Sequence, residues 1–195
     1  LSPSTGRAWL SNHGNPLGRI AERIISVQTN ASIHRNITAG LLWGCPEADL
    51  CHTPDGHGLF FASGLWAWRG LVDITAAVRQ LGLATLGDAV SAADMSHTAA
   101  QLRTDTLAVV ATSVKASGWL PPCLKCLQSA AVPFDNMTQS RIASYTNYRF
   151  YPEMLSSGGL PGSVAEGLGR YRQSHGGELL GMTRFEQWVD DWPVA

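Results

Sequence analysis

A chain of 195 residues with 45% apolar and 15% charged side chains is long enough to bury a core and too hydrophobic to stay disordered. Its formal charge of −1 comes without any run of Lys or Arg, which argues against nucleic acid or an anionic membrane surface as a partner. No apolar run approaches the roughly 20 residues a membrane span needs, and Leu1-Ser-Pro-Ser has neither the charged nor the apolar region of a leader, so it reads as a mature or internal end.

Residues 1–18 carry Ser, Pro, Gly and Asn without a period and read as an extended or turn-rich lead-in. Leu17, Ile20, Ile24 and Val27 then give a first helical stripe that ends near Gln28. A long connection follows to about Leu59, with a short helical turn expected around Ile37 to Leu42. The second helix is expected from Phe61 to Gln80, stopped by Gly82, and the third from about Leu86 to Ser117. Gly118 to Phe134 is a second long loop, rich in proline. A fourth helix spans about Thr138 to Leu155 and is expected to be disturbed at Pro152, which lacks the donor an interior turn needs.

Ser163 and Glu166 have the spacing of a capping box, so a fifth helix is expected to start there and run to about Ser174. The last segment, Glu178 to Val189, has no decided helical character. No strand-like alternation of useful length stands out, so the expected class is all-α, a single helical domain over residues 1–195 built of antiparallel helical hairpins. Long and short connections alternate, and in a ring of such hairpins that order gathers the long polar loops on one face, where a site belongs.

The second helix is the element around which the chain is organised. Phe61, Leu65, Trp68, Val72 and Ala76 recur at three- and four-residue steps, the spacing of a buried stripe. Trp66, Arg69 and Asp73 occupy another face, either as an aromatic and charged surface for a ligand or as an ordinary i, i+4 ion pair beside a packing tryptophan.

Cys45 and Cys51 form one local pair of cysteines and Cys123 and Cys126 another. Two short-range disulfides account for them most simply, with a four-thiolate zinc site as the alternative. Three sequons, at Asn30, Asn36 and Asn136, favour the disulfides, because together they point to a secreted glycoprotein made in an oxidising compartment.

Three runs carry a family likeness: Asp55-Gly-His-Gly-Leu-Phe-Phe-Ala-Ser-Gly-Leu-Trp-Ala-Trp-Arg, then Ser140-Arg-Ile-Ala-Ser-Tyr-Thr-Asn-Tyr-Arg-Phe-Tyr-Pro, then His175-Gly-Gly-Glu-Leu-Leu-Gly-Met. In order of elements they resemble the six-hairpin glycosidase superfamily of (α/α)6 toroids, over roughly Gly40 to Met182. The resemblance implies a carbohydrate partner and action on saccharides. A full toroid needs twelve helices and this chain offers five or six, so it would be a segment of a larger toroid or use part of the ring, with the remainder of a longer chain as a further partner.

Glycoside hydrolysis by inversion needs a carboxylic acid and a carboxylate about 6.5–9.5 Å apart. Glu47, Asp49 and Asp55 in the first long loop and Asp135 in the second are the candidates, each also able to serve as a turn or cap residue. Sugar rings present an apolar face and a hydroxyl rim, so Trp43, Trp66 and Tyr145 are candidate platforms, with His57, Arg69, Arg141 and Asn147 as hydrogen-bonding groups. Tyr145 and Tyr148 serve equally well as core residues whose hydroxyls reach a partner.

The chain has no Gly-x-Ser-x-Gly elbow and no Gly-rich phosphate loop, so acyl and phosphoryl transfer lack their parts; it has no His-Glu-x-x-His to hold a metal, and no cofactor or metal is expected. A non-catalytic glycan-binding or structural glycoprotein and a polysaccharide lyase are the alternatives to a hydrolase.

Overall fold

The computed structural model describes residues 3–45, 57–87, 90–124 and 132–190. The fold is mostly helical, with seven α-helices among the described residues and three small antiparallel sheets. The chain divides into two compact units, residues 1–42 with 67–105 and residues 43–66 with 106–195. Among the described residues no helix is long and apolar enough to cross a membrane.

In the first unit, α1 runs from Pro3 to Ile33, far earlier than composition suggests. Proline at the first helical position costs nothing, because its missing N–H belongs to the first turn, whose donors have no intrahelical partner. The small residues that read as a lead-in are a packing face: Leu10, Gly14, Gly18, Ala21, Gln28 and Ala31 are buried at helical spacing. A Cβ on Gly18 would lie 2.8 Å from the carbonyl oxygen of Leu86, so this glycine marks a close approach rather than a turn. Ile20, expected in the core stripe, is exposed.

The segment expected to open the third helix at Leu86 is instead a tight hairpin, β2 (Thr85–Leu86) with β3 (Val90–Ser91), leading into α4 (Ala92–Ser113). The Ser91 hydroxyl accepts from the backbone N–H of Asp94 and caps that helix. Leu71 and Val78 from α3 (Phe61–Gln80), Met95 and Leu102 from α4, and Leu10 and Ala21 from α1 form the core of this unit. The second-helix stripe is corrected in its second half: Phe61 and Leu65 are buried as expected and Trp68 is half-buried, but beyond it Leu71, Thr75 and Val78 are buried while Val72 and Ala76 are exposed.

Asp105 ties the same unit together. Arg35, in the short α2 (Arg35–Thr38), donates to its two oxygens at 2.5 and 2.9 Å, and Gln28 and Gln101 add bonds at 3.2 and 3.0 Å. The hydrogen bond and charge of Asp105 raise the Arg35 pKa.

In the second unit, β1 (Leu59–Phe60) pairs with β4 (Cys123–Leu124), joining pieces of the two long loops, and Gly44 bridges to Gly58. Phe60, Cys123, Tyr145 and Phe150 form its aromatic core, with Cys45 and Phe185 packed against it. The expected fourth helix begins at α5 (Arg141–Tyr145), widens into a π-turn at Thr146–Phe150 and continues as α6 (Tyr151–Ser156). Pro152 cannot donate to the turn before it, so a register change ahead of it leaves no α-helical bond broken.

The fifth helix, α7 (Gly162–Ser174), starts without the expected capping box, since Ser163 already lies inside the helix and Glu166 faces Arg170 at 3.7 Å. The undecided last segment is a sheet in the order β5 (Glu178–Leu179), β6 (Met182–Phe185), β7 (Trp188–Asp190). Leu180 and Gly181, with φ of 54° and 77°, make the two-residue turn that the twist of an antiparallel pair favours.

Candidate functional site

The second and third runs of the likeness meet in the second unit around one buried amide. Asn147, fully buried in the π-turn, donates from Nδ2 to the carbonyl oxygens of Gly177 at 2.7 Å and Arg184 at 2.6 Å. Its Oδ1 accepts from Arg172 Nε at 3.0 Å, and Arg172 Nη2 donates to Thr183 Oγ1 at 2.9 Å. Glycine is required at 177, where a Cβ would stand 2.3 Å from Asn147 Oδ1.

Arg172 is buried from solvent and its Nη1 lies 3.7 Å from Glu178 Oε1, an ion-pair distance too long for a hydrogen bond. Burial pushes the Arg172 pKa down while the charge of Glu178 holds it up. Both amide hydrogens of Asn147 are spent on carbonyls, so its expected role as a substrate contact is corrected to a positioning one. The same holds for Tyr145, which is buried with its ring edge-on to Phe185 at 5.1 Å.

This node fixes the walls of a polar concavity of about 460 Å³. One wall is the segment Thr138, Gln139, Ser140 and Arg141 at the start of α5; the other is Arg184, Glu186 and Gln187 at the β6–β7 turn. Local hydrogen bonds shape the first wall: Asn136 Oδ1 accepts from both the backbone N–H and the hydroxyl of Thr138 at 2.9 Å, and Ser140 caps α5 by accepting from Ala143 N–H at 3.3 Å. Arg141 lies over the Tyr145 ring at 5.6 Å, which orients its guanidinium from beneath.

On the second wall Arg184 Nη1 donates to the Gly176 carbonyl at 3.1 Å. Glu186 holds φ at 52°, a left-handed conformation that costs an L-residue roughly 1–2 kcal/mol. Its backbone N–H donates to Ser144 Oγ at 3.3 Å, which helps hold that conformation. Two guanidinium groups, a carboxylate, two amides and two hydroxyls in one recess can bind a polyhydroxylated molecule in a defined orientation and can balance a negative charge on it.

Of the other expected site residues, Trp43 and Trp66 belong to the same unit and are 60% and 45% exposed, so their faces are open to a ring. Asp135 is exposed and its charge adds to the burial that raises the Tyr171 pKa; the Tyr171 hydroxyl donates to the Phe134 carbonyl at 2.6 Å. His57 is exposed. Arg69 and Asp73 form the ordinary i, i+4 pair, 2.7 Å apart and exposed. Glu47, Asp49 and Asp55 lie outside the described residues.

Cys45 and Cys123 are both disulfide-bonded, while Cys51 and Cys126 lie outside the described residues. Asn30 and Asn36 are exposed on α1 and α2 rather than in a loop, and Asn136 is exposed in a turn. Among the described residues no group of three or more His, Cys, Asp or Glu is placed to hold a metal.

Arg184, Glu186 and Gln187 escaped sequence reasoning because the segment holding them was given no strand. The signal was present: Thr183, Phe185, Trp188 and Val189 are β-formers flanking a polar dipeptide. No protein-family model, no curated protein and no solved structure matches the chain.

Proposed function

We infer that the protein is a secreted carbohydrate-binding glycoprotein whose second unit holds a saccharide in the recess between α5 and the β6–β7 turn. The observation that carries this is the lining of that recess, where every side chain offers a hydrogen-bond donor or acceptor and the walls are braced by the buried Asn147–Arg172 node. Hydroxyl groups are recognised by such planar, multidentate side chains. Exposed Trp43 and Trp66 supply apolar faces in the same unit, and disulfide-bonded Cys45 and Cys123 agree with an oxidising compartment.

The test is a glycan array followed by calorimetric titration of the best oligosaccharide. Arg141→Ala and Arg184→Ala are each expected to weaken binding by about tenfold, as loss of one charge-assisted hydrogen bond does. Binding that survives both substitutions unchanged would sink the assignment.

Glycoside hydrolysis is the second proposal, favoured by one observation: Glu186 stands in the recess in a strained backbone conformation, as functional residues often do. Asp135, in the segment leading to the recess wall, is the candidate second carboxylate. Turnover of a bound oligosaccharide that Glu186→Gln or Asp135→Asn abolishes, with binding kept, would mark an enzyme. Binding without turnover marks a lectin-like protein.

A further inference from the structure

The first unit contains a groove that the saccharide assignment does not use. Its floor is apolar and made of small or short side chains: Val72 and Ala76 from α3, Ala99 and Ala100 from α4, with Trp68 at one end. Val72 is 39% exposed although its spacing marks it as core, so the α3 stripe splits, one part buried and the other left open on this groove. The volume is about 540 Å³, within the range of small-molecule sites.

Two arginines flank the floor. Arg103 lies over the Trp68 ring at 5.5 Å, and Arg79 stands on α3 about 16 Å along the helix axis from Trp68 at 1.5 Å per residue. Among the described residues, neither is within ion-pair distance of a carboxylate and no Asp or Glu lines the groove. The hydroxyls at hand are largely used: Thr75 donates to the Leu71 carbonyl at 2.6 Å and Thr104 to the Ala100 carbonyl at 2.9 Å, leaving Ser96. A neutral sugar would find few partners on this floor. An apolar body carrying a negative charge finds both an apolar surface to cover and an uncompensated cation to meet.

We propose that the α3–α4 groove of the first unit is a binding site for an amphipathic small-molecule anion, a carboxylate or sulfonate on an apolar ring or chain. The probe is 8-anilinonaphthalene-1-sulfonate, with N-phenyl-1-naphthylamine, the same rings without the charge, as control. The native chain is expected to bind one equivalent of the sulfonate, and to bind the neutral amine about tenfold more weakly, as loss of one charge-assisted contact implies.

The sulfonate meets one of the two arginines, so one of Arg79→Gln and Arg103→Gln should lower its affinity by about tenfold and the other by less; if Arg103 is the partner, Arg103→Lys, which keeps the charge, should lower it less than Arg103→Gln. Ala100→Leu fills the floor at an exposed helical position and should abolish the site while circular dichroism stays native. Equal affinity of both probes, or sulfonate binding unchanged in Arg79→Gln, Arg103→Gln and Ala100→Leu, overturns the proposal. A native chain that sediments as a dimer which Ala100→Leu dissociates also overturns it, since the groove would then be covered by a second copy. Saccharide binding is measured in parallel; its loss leaves the anion result standing, and the reverse holds too.

Discussion

Replacing Asn147 by Ala removes two buried hydrogen bonds and one partly buried one at once. The carbonyls of Gly177 and Arg184 lose their amide donor at 2.7 and 2.6 Å, and Arg172 Nε loses its acceptor at 3.0 Å. The Gly177 carbonyl keeps the Arg184 backbone N–H at 2.9 Å, so the loss falls on the Arg184 carbonyl and on Arg172 Nε. A neutral group left unpaired costs about 1–3 kcal/mol and a charged one more, so the sum is roughly 2–5 kcal/mol after partial relaxation. Arg172 suffers most, because only the Thr183 hydroxyl and a Glu178 carboxylate at 3.7 Å remain to stabilise a guanidinium whose pKa burial already lowers.

Urea unfolding followed by tyrosine and tryptophan fluorescence measures the loss, and saccharide titration measures its effect on the recess, whose wall includes Arg184. Stability is expected to fall by that amount and saccharide affinity to fall with it. A loss under about 1 kcal/mol would show that the node does not brace the recess.

Glu186→Gly should raise stability by about 0.5–1 kcal/mol, because glycine accepts the left-handed φ of 52° without a Cβ penalty, while saccharide binding weakens; both changes are read by thermal unfolding and titration. Gly18→Ala should cost about 1–3 kcal/mol in urea unfolding, since its Cβ would meet the Leu86 carbonyl oxygen at 2.8 Å, and an unchanged midpoint would contradict that packing.

Stability should fall as pH rises above about 10: burial raises Tyr151 and Tyr171 above 10.0, so the unfolded chain loses those protons first and binds fewer than the native state. Tyr151→Phe should flatten that alkaline slope in pH-dependent urea melts. A non-reducing peptide map is expected to link Cys45 to Cys51 and Cys123 to Cys126, each worth about 2 kcal/mol.

The helical character of the chain was legible because it rests on local periodicity: α3 and α7 fall close to their expected spans, and α4 lies within its own, shortened at both ends. The disturbance near Pro152 was legible too, because a missing N–H donor is a property of one residue. The exposed Arg69–Asp73 pair follows from i, i+4 spacing alone.

Tertiary structure decided the rest. Gly14 and Gly18 look like loop residues until the β2–β3 hairpin lies against them, when their small size becomes the reason α1 packs. Val72 and Ala76 share the helical phase of a core stripe, but which apolar positions are covered depends on the neighbouring elements, and α1 and α4 cover Leu71 and Val78 instead.

The recess is the clearest case. Its walls come from residues some forty positions apart, and Arg184 and Glu186 acquire their places only when Asn147, through a π-turn, holds the chain at Gly177 and Arg184. Sequence patterns record which face a residue occupies on its own element; a site assembled across elements depends on long-range hydrogen bonds that leave no period to read.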